Sequence, residues 1–165
     1  MKEPNTTAGA PSGRGRTKDR RVKMGFLAAV IVAGAVVYLH QRAGPALPDW
    51  GTDLPAALQQ AQTENRPVLV FFLTSPPSTT ARDMADKTLQ RPQNRQAIEK
   101  GKFIRVKVTV GSMDSDVARK YALKALPTMM VLGPQGKELN RREGFIGELD
   151  FRNGFLDLSE VRAPS

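Results

Sequence analysis

Six consecutive apolar residues, VLVFFL at 68–73, constrain the fold of this chain more than any other feature. They follow Pro67, and a continuous apolar run of this length is typical of a strand that is buried on both faces. Such a strand needs packed layers above and below its sheet. The run therefore predicts an α/β domain in which helices cover both sides of a sheet.

The residues on either side of this run alternate between helical and strand patterns. Apolar residues recur at helical spacing from Leu54 to Ala61, and Ile104, Val106 and Val108 alternate with polar residues. The predicted elements, in chain order, are a helix opened by Asp53 and Pro55, strands over 68–73, 103–110, 128–132 and 137–143, and helices over 79–89, 92–101, 116–122 and 148–158. This order predicts a mixed central sheet flanked by helices.

The amino-terminal part of the chain has a different composition. Residues 1–21 are rich in Gly, Pro, Ser, Thr and Arg, and they predict a disordered basic tail. The stretch from Met24 to Leu39 contains no charged residue. As a helix, this apolar segment would reach about 24–27 Å, which is at the short end for a membrane span. We therefore expect a single transmembrane helix over 22–40 that contacts the lipid bilayer.

Basic residues concentrated before the apolar segment predict its orientation. The positive-inside rule places the basic tail in the cytoplasm of a cell with an inner membrane. A domain over 50–160 would then lie on the extracytoplasmic side, joined by a linker over 41–49. Two alternatives stay open: a cleaved signal peptide, which would leave a secreted protein, and a soluble helix. Small residues between 43 and 46 favour cleavage, but Arg42 and Pro45 interrupt the site.

The charge of the chain is unevenly distributed. The whole sequence has a formal net charge of +9, and seven basic side chains against two acidic ones lie in residues 1–23. From Asp49 onward there are 17 basic and 14 acidic residues, so the folded part is nearly balanced. A balanced domain argues against a nucleic acid as its partner.

The chain contains no cysteine and one histidine, His40. The absence of cysteine excludes disulfide exchange, thiolate nucleophiles, iron–sulfur clusters and cysteine-ligated zinc in this chain. His40 lies at the end of the predicted span, so a serine–histidine pair within the domain is excluded as well. No cofactor and no metal site are predicted, and no catalytic residue is assigned.

Several motifs, in this order and spacing, resemble the thioredoxin family over nearly the whole domain. They are Trp50 before an alanine-rich helix, Arg66–Pro67 before the apolar strand, TSPPSTTARDM at 74–84, ALPT at 125–128, and GPQGK at 133–137 followed by Gly144. The first two resemble the start of many thioredoxin-like domains, and the third resembles the family's T-S-P-x-C-x-x-C-K-x-M segment. ALPT resembles the family's loop with a cis-proline. The resemblance implies a thioredoxin-like fold.

The departures from the family pattern fall where its redox chemistry takes place. Ser78 and Ala81 occupy the two cysteine positions, and a register shifted by one residue would place Pro77 and Thr80 there instead. Neither register supplies a thiol. Phe72 stands near the family's buried acid. We expect Ser78 to cap the following helix with its side-chain oxygen.

The resemblance also implies a groove in which backbone beside the proline pairs with an extended peptide. Strand addition uses backbone groups and shallow apolar pockets, so it does not require thiols. The candidate groove residues are Thr74, Pro76, Pro77, Ser78, Thr79, Leu126, Pro127, Thr128 and Met129. The alternative is that Pro127 only maintains the turn.

The sequence thus favours a redox-inactive, membrane-anchored binding or scaffolding module on the extracytoplasmic face, with a protein or peptide partner at the groove. Two other functions stay open. One is a protein of the thiol–disulfide oxidoreductase family that acts only with cysteines supplied by a partner. The other is a structural subunit of a membrane complex.

Overall fold

Strand β1 (Val68–Leu73) forms the centre of the sheet in the computed structural model, which describes residues 47–158. All six of its side chains are buried, with at most 2% of their surface exposed. β1 pairs in parallel with β2 (Ile104–Thr109) and antiparallel with β3 (Thr128–Leu132). The prediction of a central strand buried on both faces of a mixed sheet is therefore confirmed.

The described residues form a four-stranded sheet in the order β2-β1-β3-β4. β4 (Glu138–Glu143) pairs antiparallel with β3 and forms one edge, with a register shift between Val131 and Leu132. The charged sequence of β4 is typical of an edge strand, where charge opposes pairing with another chain. At the opposite edge, Gly51 pairs in parallel with Val106.

Five helices flank this sheet in the described part of the chain. They are α1 (Leu54–Glu64), α2 (Thr79–Met84), α3 (Pro92–Lys100), α4 (Asp116–Lys120) and α5 (Glu148–Asp150). α2 continues into a π-helical turn over Ala85–Leu89, and α5 continues into another over Phe151–Phe155. The last helical segment therefore ends at Phe155 rather than at the predicted residue 158.

Alternate residues of β1 enter opposite apolar layers, because successive side chains of a strand point to opposite faces. Leu69, Phe71 and Leu73 pack in one layer with residues of α2, α3 and the turn after α5. Val68, Val70 and Phe72 pack in the other with residues of α1 and α4. The domain thus has three layers, with helices on both sides of the sheet.

The packed part of the chain begins before the predicted boundary at Trp50. Leu47, within the predicted linker 41–49, has 3% of its surface exposed and lies in the layer that contains Phe71. The predicted tail, the predicted span over 22–40, residues 41–46 and the predicted final residues 159–160 lie outside the described residues. Within residues 47–158, no helix combines the length and apolar character needed to cross a membrane.

Candidate functional site

Three backbone segments meet at the carboxyl end of β1. The loop after β1 leads to α2, and Phe72 near the end of β1 pairs with Thr128, the first residue of β3. Thr128 pairs in turn with Glu143, the last residue of β4. The loops that follow β1, precede β3 and follow β4 are therefore neighbours, and we refer to the surface that they form as the groove.

Ser78 lies at the amino-terminal end of α2, one of the two positions where the family resemblance would place a cysteine. Its backbone is extended, and its hydroxyl oxygen accepts a hydrogen bond of 3.2 Å from the Ala81 amide. Ala81 itself is completely buried. The sequence interpretation of Ser78 as a helix cap therefore agrees with the geometry, and Ala81 is a core residue.

The loop between β1 and α2 is fixed by its own contacts. The Thr74 hydroxyl donates a hydrogen bond of 2.9 Å to the Pro76 carbonyl oxygen. Pro77 is buried, whereas Pro76 and Thr79 are exposed and Thr74 and Ser78 are half-buried. The Ser75–Pro76 peptide bond is cis. This loop therefore presents only part of its predicted set of side chains to solvent.

The loop before β3 contains a second cis peptide bond, between Leu126 and Pro127. Two hydrogen bonds hold it: the Thr128 hydroxyl donates to the Ala125 carbonyl oxygen at 2.7 Å, and the Gly144 amide donates to the Pro127 carbonyl oxygen at 2.8 Å. The amide and carbonyl of Leu126 make no hydrogen bond with any described residue. Leu126 thus presents an unused donor and an unused acceptor between two fixed positions.

Two residues predicted for the groove present no side-chain surface to it. Thr128 and Met129 are completely buried, and Met129 belongs to the layer formed with α2 and α3. Met130 is also completely buried but lies in the opposite layer. The two methionines alternate across the sheet because they are consecutive residues of a strand. Fewer side chains therefore line the accessible groove than the sequence predicted.

The third wall of the groove is the turn after β4, which the sequence prediction of the site did not include. The Thr88 hydroxyl donates a hydrogen bond of 2.6 Å to the Ile146 carbonyl oxygen, and the Ile146 amide lies 3.4 Å from the Met84 sulfur, to which it donates. Both partners belong to α2 and its π-helical turn. This turn after β4 is therefore anchored to the same helix that begins at Ser78.

Two large apolar side chains beside this wall are exposed. Phe145 has 49% and Leu149 has 61% of its surface exposed. Their only sequence signal was an apolar residue directly after Gly144 and another four positions later, at helical spacing. That pattern predicts burial, so the exposure could not be found without the fold.

The described residues at this surface support neither a metal centre nor thiol chemistry. Within 47–158, no three His, Cys, Asp or Glu side chains lie close enough together to hold a metal ion. The chain has no cysteine, so the helix start carries no thiolate for a mixed disulfide.

Comparisons with known proteins address the fold. A family described as thioredoxin-like matches residues 49–134. The carboxy-terminal domain of DsbD from Neisseria meningitidis, in its oxidised form, is 22% identical with a TM-score of 0.52, covering 68% of this chain and 97% of that one. A thioredoxin from Thermus thermophilus is 24% identical with a TM-score of 0.52, covering 69% of this chain and 87% of that one.

No curated protein matches the chain. At these identities, the two solved structures show a shared fold and nothing further. The family match spans more than half of the sequence, and it agrees with the sheet order and with the loop at Pro127. This chain therefore belongs to the thioredoxin-like family, as a member that contains no cysteine.

Proposed function

We propose that this protein is a redox-inactive binding module that takes an extended peptide segment of a partner protein at the Leu126 loop. The observation that carries the proposal is the unused amide and carbonyl of Leu126, held between fixed neighbours. One residue that exchanges both of its backbone hydrogen bonds with a partner is the unit of antiparallel pairing. Strand addition of this kind supplies affinity through the main chain.

Thiol chemistry is not part of this function. A thioredoxin-like exchange reaction needs a thiolate at the helix start and a second thiol that resolves the mixed disulfide. Here the Ser78 hydroxyl accepts the Ala81 amide, and Ala81 contributes a buried methyl group. The same helix start that would hold a nucleophile instead completes a helix cap, so the groove binds without reacting.

Anchoring on the extracytoplasmic face of an inner membrane is the second part of the proposal. It is supported by the uncharged segment at 24–39 and by the basic residues that precede it. A domain on a short linker beside a membrane would hold its peptide partner near the bilayer. The proposed role is therefore a tethered scaffold or capture module.

The redox part is tested with the full-length chain. We expect the rate of insulin reduction by dithiothreitol to equal the rate without protein, because no residue can form the mixed disulfide. A cysteine-containing thioredoxin serves as the positive control. Acceleration above the protein-free rate would contradict the proposal.

The binding part is tested by selecting peptides from a random decapeptide library on the immobilised full-length chain. We expect a selected peptide to slow hydrogen exchange at the Leu126 amide. The Gly144 amide is the internal control, because it is already bonded to the Pro127 carbonyl oxygen. Absence of enrichment over bare resin, or protection elsewhere with none at Leu126, would contradict strand addition at this loop.

The topology is tested by a reporter fused after Ser165 and by alkaline carbonate extraction. We expect the reporter to be active only outside the cytoplasm and the protein to stay in the membrane pellet. Release by carbonate together with a shortened mass would show that the segment is a cleaved signal.

A further inference from the structure

A hollow with both apolar and charged residues in its lining adjoins the groove at the turn after β4. It has a volume of about 440 Å³ and is lined by Phe145, Ile146 and Leu149, with Arg142 and Asp150 also in its lining. Phe145 and Leu149 expose about half of their surfaces or more, whereas most large apolar side chains of the described residues are buried. We refer to this feature as the Phe145 hollow.

The Phe145 hollow is preformed. Ile146 is bonded through its carbonyl oxygen to the Thr88 hydroxyl and through its amide to the Met84 sulfur, and its side chain is 5% exposed. Both backbone polar groups of Ile146, the residue after Phe145, are therefore held by α2 and its π-helical turn. A site fixed before binding loses less conformational entropy when a ligand arrives.

The turn that carries the Phe145 hollow is hydrogen-bonded to the Leu126 loop. Gly144, directly before Phe145, donates its amide hydrogen to the Pro127 carbonyl oxygen at 2.8 Å. A strand advances about 3.4 Å per residue, and its alternate side chains share one face. A peptide that pairs with Leu126 and runs toward Gly144 would carry its alternate side chains toward the Phe145 hollow.

The lining of the hollow contains one basic and one acidic side chain, Arg142 and Asp150, on two different elements. The Arg142 side chain is exposed and forms no ion pair with any described residue. Asp150 also has no ion-pair partner among the described residues. Arg142 belongs to β4, where it pairs with Met129, whereas Asp150 is the last residue of α5. An acidic group suits the Arg142 side of the hollow and is repelled on the Asp150 side.

We propose that the partner of this protein supplies an extended segment with a bulky apolar residue in the Phe145 hollow and an acidic residue beside Arg142. This proposal rests on the proposed function, because the backbone pairing at Leu126 brings the segment to the hollow. Main-chain pairing gives affinity that is independent of sequence, and the hollow with Arg142 selects the sequence. The ligand class is thus an acidic–apolar peptide rather than any extended chain.

The test uses the full-length chain and a positional library of capped decapeptides. The wild type enriches Phe, Leu, Ile or Met at one position and Asp or Glu within two residues of it. The double variant Phe145→Ser and Leu149→Ser loses the apolar preference and binds the selected peptides at least about tenfold more weakly. Arg142→Glu replaces the acidic preference with a basic one.

Met113→Ser is the matched control, because Met113 is also apolar and 40% exposed but precedes α4. It leaves both preferences unchanged. The four substituted residues are exposed, so the three variants retain the wild-type thermal unfolding midpoint, and equal midpoints are required for the comparison.

The outcomes separate the two proposals. If the wild type enriches no peptide, the proposed function fails, and this inference fails with it. If peptides are enriched but the double variant binds them equally well, the proposed function is supported and the assignment of the Phe145 hollow is overturned. A concentration-dependent dimer that the double variant abolishes would also overturn it, since the hollow would then be occupied by a second copy.

Discussion

Two hollows of nearly equal volume lie on opposite sides of the β3–β4 hairpin, and their polar groups are arranged differently. The Phe145 hollow, about 440 Å³, exposes two large apolar side chains and an Arg142 that forms no ion pair with any described residue. The other, about 430 Å³, is lined by Tyr121, Ala122, Glu138 and Arg141 among others, and we refer to it as the Arg141 hollow. Volume alone does not distinguish a binding site from a packing feature.

The polar groups of Arg141, which line the Arg141 hollow, are already hydrogen-bonded within the chain. The Arg141 guanidinium donates to both carboxylate oxygens of Glu138, to the Ala122 carbonyl oxygen at 2.8 Å and to the Tyr121 carbonyl oxygen at 2.6 Å. It thereby satisfies carbonyls at the end of α4, which a helix leaves unpaired. In the groove, by contrast, the Leu126 amide and carbonyl have no hydrogen-bond partner within residues 47–158. Unpaired groups beside exposed apolar surface mark the candidate site.

The largest stability effect that we expect comes from Arg141→Ala. It removes two charged hydrogen bonds to carbonyls, each of which contributes about 1.5–3 kcal/mol, and a part-exposed pairing with Glu138 that contributes less. Urea denaturation of the full-length chain measures the loss, and peptide capture at the groove remains unchanged. Arg141→Lys recovers only part of the stability, because an ammonium group does not reproduce the planar set of donors. If Arg141→Ala lost peptide capture without losing stability, the Arg141 hollow would itself take part in binding, which contradicts this comparison.

A smaller loss is expected from Thr88→Val, which keeps the shape of the side chain but removes its hydroxyl. Thr88 is completely buried, and the Ile146 carbonyl oxygen would lose its partner at a cost of about 1–3 kcal/mol. Because this bond anchors the wall of the groove, peptide capture should weaken together with stability. Thr88→Ser retains the hydroxyl and is the matched control. Unchanged capture in a destabilised Thr88→Val variant would show that the anchor does not shape the site.

Ser78→Ala tests whether the former thiol position is only a helix cap. Ser115 is the matched position, because its hydroxyl oxygen accepts the Ala118 amide at 3.3 Å as Ser78 accepts that of Ala81 at 3.2 Å. Each substitution should lower the free energy of unfolding by about 0.5–2 kcal/mol and leave peptide capture intact. Capture lost in Ser78→Ala but retained in Ser115→Ala, at equal stability, would identify Ser78 as a ligand contact.

The smallest effect concerns the pH dependence of stability. The hydrogen bond from Arg141 lowers the pKa of Glu138 below its ordinary value of 4.5. The pairing therefore stabilises the fold fully above that value and is lost as the pH falls through the lower folded-state pKa. Because 43% of the Glu138 side chain is exposed, we expect a contribution of at most about 1 kcal/mol.

Glu138→Gln should flatten the stability profile below pH 4.5 and leave the slope above it unchanged. Urea midpoints between acid and neutral pH measure this effect. An unchanged acid slope in the variant would assign the pH dependence to other carboxylates.

Much of the fold could be predicted from the sequence because its signals are local. The apolar run at 68–73, the helix caps at Ser78 and Ser115, and the prolines at 92 and 127 each act within a few residues. The mixed sheet follows from the order of the elements. The end of the last helix was wrong by three residues, because its π-helical turn depends on how Phe151 and Phe155 pack in the core.

The candidate site was less predictable, because exposure and pairing depend on distant residues. The family resemblance placed Ser78, Leu126 and Pro127 in the groove, but it also included Met129, which is buried by the helical layer above it. Phe145 and Leu149 were missed, since apolar residues at helical spacing usually face a core.

The sequence by itself determined that this chain has no thiol and that its central strand is buried on both faces. Only the tertiary structure decided which polar groups remain unpaired. The Thr88–Ile146 bond joins residues 58 positions apart, and the Gly144 amide reaches Pro127 only because β3 and β4 pair. A hydrogen bond depends on distance and angle between two groups, and residue order does not specify these for distant segments. The motif at 125–128 placed Leu126 among the groove residues, but only the fold showed that its amide and carbonyl have no partner among the described residues.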